Sequence, residues 1–298
     1  MTFVPFDRGA GPSHLMRTAA IQPMDSDVIL IDTWRGDIVL GDDMKSIIAV
    51  AALIISSSSL NQVFQPDRNY LFSTCAKMNG YEVDKPYGTA IRRGGWTFDA
   101  KRQQGATIVL DAWSLYGDSD PNHLAYVLAT ARRESAGTFF PIREAPKCGS
   151  DEDCRERAIG RLLQGRANKR NAERQLKGLP PLPVSANYAK VDTTGFRYYG
   201  RGFNQLTGPA SYKRAGDLVG SNLIADPDKA LDPPTSARIL IEGMLKGWFG
   251  SRKPVSYYLD QTQPQWTAAR ATTNPGSPNA DITGAFARDF RKCLRPST

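Results

Sequence analysis

Tyr198-Tyr199-Gly200-Arg201-Gly202-Phe203-Asn204-Gln205-Leu206-Thr207-Gly208 is a polar loop punctuated by glycines, with Phe203 and Leu206 as its apolar anchors. Gly200 and Gly202 flank Arg201, so the backbone there can bend sharply and approach a ligand closely. Gln205 and Thr207 alternate with the anchors and are expected to face the other way, into a cleft. An amide and a hydroxyl suit a polyhydroxylated ligand. Tyr198, Tyr199 and Tyr212 offer rings for stacking on sugar faces, although tyrosine also serves often as a half-buried core residue.

Upstream, a helical segment ends in Ala131-Arg132-Arg133-Glu134-Ser135-Ala136-Gly137. It begins at Asp120-Pro121, an N-cap followed by proline at the first helical position, where the missing N–H costs nothing. Leu124, Val127, Leu128 and Ala131 then fall at i, i+3, i+4 and i+7, the apolar stripe of a buried helix. Glu134 lands on the flank of that stripe, about 70° from its centre at 100° per residue. Such a carboxyl is expected to be partly desolvated, and desolvation raises a carboxyl pKa. A general acid that protonates a glycosidic oxygen needs that property. The bland alternative is a solvated helix-end glutamate.

Hydrolysis of a sugar–sugar bond normally uses a second carboxylate across the bond. Glu144 follows Glu134 by ten residues in Phe139-Phe140-Pro141-Ile142-Arg143-Glu144-Ala145, beyond a turn at Gly137. That spacing lets the chain leave the helix and return along the far side of a cleft. Asp151, Glu152, Asp153, Glu156 and Asp192 are rivals for the role, and an ion pair with Arg143 or another arginine is the alternative reading of Glu144.

Together the two segments resemble the family 19 glycoside hydrolases (chitinases) and the phage endolysins related to them, within the wider lysozyme-like group. The likeness spans roughly residues 107–294. It implies a mainly α (α+β, lysozyme-like) fold, a helical two-lobed domain with a substrate cleft. It also implies that Glu134 is the acid, that Glu144 positions water, and that Tyr199, Arg201, Gln205, Thr207, Tyr212 and Asn274 contact substrate. Asn274 lies in Thr272-Thr273-Asn274-Pro275-Gly276, similar to the loop closing the far end of the family's groove; a plain turn asparagine is the alternative. Two positions depart from the pattern. Arg133 stands where the family usually has His, and Ser211 where chitinases commonly have a cleft Asn. The likeness to phage and bacterial lysins therefore favours peptidoglycan over chitin. The implied reaction is endo-acting, inverting cleavage of β-1,4 bonds without cofactor or metal. A family 19 type chitinase, and a catalytically inactive cell-wall-binding or virion-associated protein, are the alternatives.

Further on, Asp232-Pro233-Pro234 precedes a helical stripe of Ala237, Leu240, Ile241, Met244 and Leu245, closed by Trp248-Phe249. Ile282, Phe286 and Phe290 mark a last helix. The chain's 298 residues, 41% hydrophobic, suffice for one sizeable core plus an extension. The domains expected are an N-terminal extension at 1–100 and a catalytic domain at 101–298, with a basic insertion at 147–193. Residues 155–177 hold eight Lys/Arg and two Asp/Glu, a net +6 within a chain of +8. Such a strip suits an anionic cell-envelope polymer or lipopolysaccharide, and equally a nucleic acid, or else is a solvated face. Without a helix-turn-helix, zinc-finger or RNP-type motif, no nucleic-acid partner is expected.

Cys75, Cys148, Cys154 and Cys293 match no common zinc spacing. Cys148 and Cys154 bracket an acidic loop and suit a small disulfide if the protein matures outside the cytoplasm; free buried thiols are the cytoplasmic alternative. Residues 46–66 carry no charge, and 47–55 form a continuous apolar run after Met44-Lys45. Read from Met44, residues 44–64 look like an export signal or a weak membrane anchor, which implies a secreted, periplasmic or envelope location with transient membrane association. Read from Met1, the run is a buried helix of an added region. Val28-Ile29-Leu30-Ile31 and Ile38-Val39-Leu40 suggest a short hairpin.

Overall fold

The computed structural model describes residues 62–83 and 90–297. The hairpin expected at 28–40 and the apolar run at 47–55 lie outside them. In chain order the elements are α1 (Arg68–Thr74), β1 (Lys77–Val83), β2 (Ala90–Thr97), α2 (Ala100–Tyr116), α3 (Pro121–Glu134), β3 (Ile142–Arg143), α4 (Glu152–Gln175), β4 (Arg201–Gly202), α5 (Pro209–Val219), α6 (Pro233–Leu245), α7 (Ser256–Leu259) and α8 (Ala280–Lys292). Short 3₁₀ turns occupy Pro146–Cys148, Pro227–Leu231 and Ala268–Thr272. The chain is mainly helical, as the sequence suggests.

Aspartate starts most of the long helices. Asp99, Asp120, Asp151 and Asp232 each accept a backbone N–H from the first turn of α2, α3, α4 and α6. Each such cap is worth about 1 kcal/mol. The centre of the fold is α3, in which every residue from His123 to Arg132 is buried. A helix apolar on one stripe keeps a wet face; one covered all round lies inside the core. The cover comes from α8, α6 and α7, with α2 packed in turn on α6. Arg132 shows how complete it is. Its guanidinium lies 4.1 Å from the Trp96 ring centre and 3.7 Å from that of Phe286, and donates to the Asn79 carbonyl. Burial lowers its pKa to about 9.

Those contacts draw the β1–β2 hairpin onto the helices, so the expected boundary at residue 100 is too late. The hairpin is antiparallel, pairs Lys77 with Thr97 and carries a register shift at Asn79/Tyr81. Asn79 and Tyr81 both donate to Asp289 of α8. A Cys75–Cys293 disulfide joins the end of α1 to the end of α8, across 218 residues of chain. Even residues 62–66 belong to the fold. The buried Trp113 indole donates to the Phe64 carbonyl at 3.0 Å, and the Phe64 N–H to Asp118. The last part of the 44–64 segment is thus structural, while residues up to 61 lie outside the described chain. Among the described residues no helix is long and apolar enough to cross a membrane.

Two smaller clusters lie beside the main core. One gathers Tyr198, Leu206, Tyr212, Ala215, Leu223, Ala230 and Ile239 around α5. The other packs Ile159 and Leu163 of α4 on Ala189 and Tyr199. A second disulfide, Cys148–Cys154, closes the loop before α4.

Candidate active site

Glu134 occupies the last turn of α3, where Ser135 is the C-cap and its hydroxyl accepts the Phe139 N–H at 2.9 Å. The chain then reverses through Ala136 and Gly137, both at positive φ. Two residues of β3 pair antiparallel with β4, Ile142 opposite Gly202 and Arg143 opposite Arg201. This short ladder sets Glu144 beside the glycine loop. The Glu144 N–H donates to the Gly200 carbonyl at 2.7 Å, and the Gly200 N–H returns a bond to Glu144 Oε2 at 3.1 Å. The Tyr188 hydroxyl donates to Oε1 at 2.8 Å. Burial and then the Glu144 charge push the Tyr188 phenol well above its usual pKa, so it stays a donor.

Glu134 and Glu144 open onto one cleft of about 370 Å³, lined also by Arg166, Asn204, Gln205, Thr207, Ser211, Arg270 and Asn274. The surroundings of Glu134 differ from the apolar flank expected. Its Oε1 is ion-paired to the buried Arg270, which also donates to Thr273 at 2.9 Å. Oε2 has no hydrogen-bond partner among the described residues. Arg133 is half-buried; burial lowers its pKa, opposed by the Glu134 charge and reinforced by Arg270.

The rivals of Glu144 are engaged elsewhere. Asp151 caps α4, Glu152 pairs with Arg155 and accepts from Tyr199, and Asp153 and Glu156 pair with Arg197. Asp192 caps its own turn, where the Thr194 N–H holds its carboxyl below the usual range. Arg143 pairs with Asp228, not with Glu144.

In the loop at 198–208, Phe203 and Leu206 are buried while Gln205 and Thr207 line the cleft. The Gln205 amide N–H groups are spent on the carbonyls of Ile142 and Gly202, each at 3.1 Å, and the Thr207 hydroxyl donates to Gln205 O. Their acceptor atoms remain for a ligand. Asn274 also lines the cleft. Three expected substrate contacts do not reach it, and Tyr198, also offered for stacking, is buried in the cluster around α5. Tyr199 and Tyr212 are fully buried, and so is Arg201 but for 5%. The Arg201 guanidinium stacks 3.7 Å above Tyr199, pairs with Asp228 at 2.8 Å and donates to the Arg197 carbonyl; the Tyr212 hydroxyl donates to Tyr199 O. These polar tips satisfy one another inside the protein, which leaves no ring face for a sugar.

The cleft contains residues the sequence reading did not anticipate. Arg270, Asn204 and Arg166 line it, and Tyr188 holds Glu144 from the segment returning after α4. No periodicity marks any of them. Backbone strain does mark the place: of the five non-glycine residues at positive φ among those described, Ala136, Ala145 and Gln205 stand next to or on the cleft loops. Strained conformers persist where the surroundings over-determine them, and functional sites are where they gather. Elsewhere, Asp120, His123 and Asp260 bring ligand-type atoms within 4.8 Å of one another. Both His123 nitrogens are already bonded to carboxylates, Asp118 and Asp260, at 2.7 Å. This cluster shares no residue with the cleft.

No protein-family model matches the chain, and no curated protein matches its sequence. Among solved structures, chitinase C from Streptomyces griseus HUT6037 is similar over 78% of this chain and 95% of its own, with 16% identity and a TM-score of 0.41. A mutant of chitinase C aligns over 78% and 92%, with the same identity and score. The chemistry of the site therefore rests on its own geometry.

Proposed function

We propose that the chain is an inverting glycoside hydrolase acting on the β-1,4 bonds of peptidoglycan. One observation supports this reading: Glu134, at the end of α3, and Glu144, beside the glycine loop, line the same cleft among polar side chains. In the reaction Glu134 protonates the leaving glycosidic oxygen through Oε2, while Arg270 holds Oε1. Glu144, fixed by Tyr188 and the Gly200 N–H, takes a proton from the water that attacks the opposite face of the sugar. Gln205, Thr207, Ser211 and Asn274 supply acceptors and donors for sugar hydroxyls and N-acetyl groups.

Arg166 supports a wall glycan over chitin. It projects from α4 to the cleft and forms no ion pair among the described residues. Chitin is neutral, whereas peptidoglycan carries lactyl-linked peptides with free carboxylates. The two disulfides support an oxidising compartment outside the cytoplasm. Glu134→Gln should slow release of reducing ends from purified walls by about 10²–10⁴-fold, with the circular dichroism spectrum unchanged. Retention of more than about a tenth of the rate removes Glu134 from the role. Arg166→Gln should slow wall cleavage and leave any chitin cleavage alone. Chitin cut as fast as walls by the native protein would reverse the substrate choice. Proton NMR of the first product should show the inverted anomer.

A further inference from the structure

The inserted helix α4 and its return segment carry a combination of features that the cleft does not use. Of the nine large hydrophobic side chains exposed among the described residues, seven lie between Leu162 and Phe196: Leu162, Leu176, Leu179, Leu182, Val184, Val191 and Phe196. Within residues 157–191 there are also eight Lys/Arg and a single acidic residue, Glu173. The inner face of α4 buries Arg155, Ile159, Leu163 and Ala167. Leu162, Lys169 and Leu176, seven residues apart, form a separate stripe that faces solvent.

The return segment is not loose. Pro180, Pro181 and Pro183 restrict it, and α4 grips its backbone: Arg170 donates to Pro183 O at 2.6 Å, Arg174 to Pro180 O at 2.7 Å, and Asn171 exchanges two bonds with Leu182 at 2.9 Å. Arg170 and Arg174 are thereby structural and Arg166 turns to the cleft, leaving Arg157, Arg161, Lys169, Lys177 and Lys190 without an ion pair among the described residues. The arm thus presents exposed apolar side chains among unpaired cations in a preformed shape.

We infer that this arm is a docking surface for an anionic lipid bilayer. A polyanion such as a wall polymer or a nucleic acid would account for the charge alone. It would leave seven exposed apolar side chains within 35 residues of chain in water with no partner, and a concentration of exposed apolar surface marks an interaction site. A bilayer interface satisfies both features. Its acyl boundary takes Leu176, Leu182 and Val184, and its acidic headgroups take the lysines and arginines, whose aliphatic stems reach outward past the apolar contacts.

The test uses the full chain and co-sedimentation with vesicles of phosphatidylglycerol and phosphatidylcholine in equal parts, against vesicles of phosphatidylcholine alone. The native protein should partition to the anionic vesicles. A triple variant Arg161→Gln/Lys169→Gln/Lys177→Gln should weaken this on the order of 100-fold. A second triple variant, Leu176→Ser/Leu182→Ser/Val184→Ser, should weaken it by at least about tenfold. Both should hydrolyse soluble wall fragments like the native protein, so the outcome is independent of the proposed reaction. The inference is overturned if neither triple variant alters partitioning. It is equally overturned if only the charge variant does, which would make the arm a polyanion-binding face.

Discussion

The two disulfides differ in what they constrain, and replacing each pair by alanine should separate stability from function. In the chain-entropy picture a cross-link removes loop-closure entropy from the unfolded state in proportion to the logarithm of the loop length. Cys75 and Cys293 are 218 residues apart and Cys148 and Cys154 only 6. The same expression gives about 5 kcal/mol for the long loop and about 2 kcal/mol for the short one at 25 °C. For a folded unit of this size 1 kcal/mol moves the melting temperature by about 2–4 °C. Cys75→Ala/Cys293→Ala should therefore melt about 10–20 °C below the native protein, and Cys148→Ala/Cys154→Ala about 4–8 °C below. Their effects on hydrolysis should run the other way. Gly149, inside the short loop, accepts a bond from the buried Arg155, and Arg155 also donates to the Glu144 carbonyl at 2.9 Å. Loosening that loop loosens the backbone that carries Glu144, so kcat should fall with the short bond and hold with the long one. Thermal unfolding by circular dichroism in non-reducing buffer, with wall hydrolysis well below both melting points, reads both effects. If the short-bond variant is the less stable of the two, or if the long-bond variant alone loses kcat, the reasoning fails.

His123 is buried between acidic groups. Burial opposes its protonation, but the hydrogen bond and charge of Asp118, with the charges of Asp120 and Asp260, outweigh it and raise the pKa. Its contribution to stability is therefore full below the unfolded value of about 6.5 and is lost as pH rises through the raised folded value; urea midpoints from acid to alkaline pH should show this decline, and His123→Gln should flatten it. Gly202 sits at φ +83°, and an added Cβ would lie 2.5 Å from Ser236 Oγ and 2.7 Å from the Ala230 carbonyl. Gly202→Ala should cost about 2 kcal/mol or more in urea unfolding, and a cost near zero would contradict the packing at β4. A chain beginning at Asp67 should be less stable than one beginning at Gln62 by about 3 kcal/mol, since it loses Phe64 O under the buried Trp113 indole and the bonds of Gln65 to Ser114 and Ser297. Equal unfolding midpoints for the two chains would place residues 62–66 outside the fold.

Local signals reached the helices and stopped at the partners. The Asp120-Pro121 start, the stripe of α3 and the proline-led start of α6 are encoded within a turn or two of chain, where capping and periodicity operate. So is the alternation that buries Phe203 and Leu206 and turns Gln205 and Thr207 to the cleft. Arg270 meets Glu134 from 136 residues away, and nothing local announces such a pair. Tyr199 and Tyr212 show the opposite failure. A tyrosine has an apolar body and a polar tip, and whether the tip meets a sugar or another buried group depends on residues such as Arg201 and Asp228 that only the fold brings near. The hairpin at Lys77–Val83 and Ala90–Thr97 escaped notice because glycines at Gly80, Gly94 and Gly95, with a register shift, break the alternation that marks a strand. Cys75 and Cys293 gave no spacing to read, since their bond spans nearly the whole described chain.

The distal half of α4 and its proline-rich return touch mainly each other, and the pair is rooted in the rest of the protein through Ile159, Leu163 and the loop stapled by Cys148 and Cys154. A part attached in this way is free to diverge. Outside Arg166 and Tyr188, which belong to the cleft, descendants could lengthen it, trim it or exchange its lysines for acids without moving Glu144, because the ladder that sets Glu144 beside the glycine loop is made before the arm leaves and after it comes back. Selection for a new host surface would then fall on the arm, and selection for turnover on the cleft. The same modularity makes the arm a cassette: transplanted between related enzymes at its stapled root, with the recipient's own residues kept at the positions of Arg166 and Tyr188, it should carry its surface preference to the recipient and leave the recipient's specificity as it was.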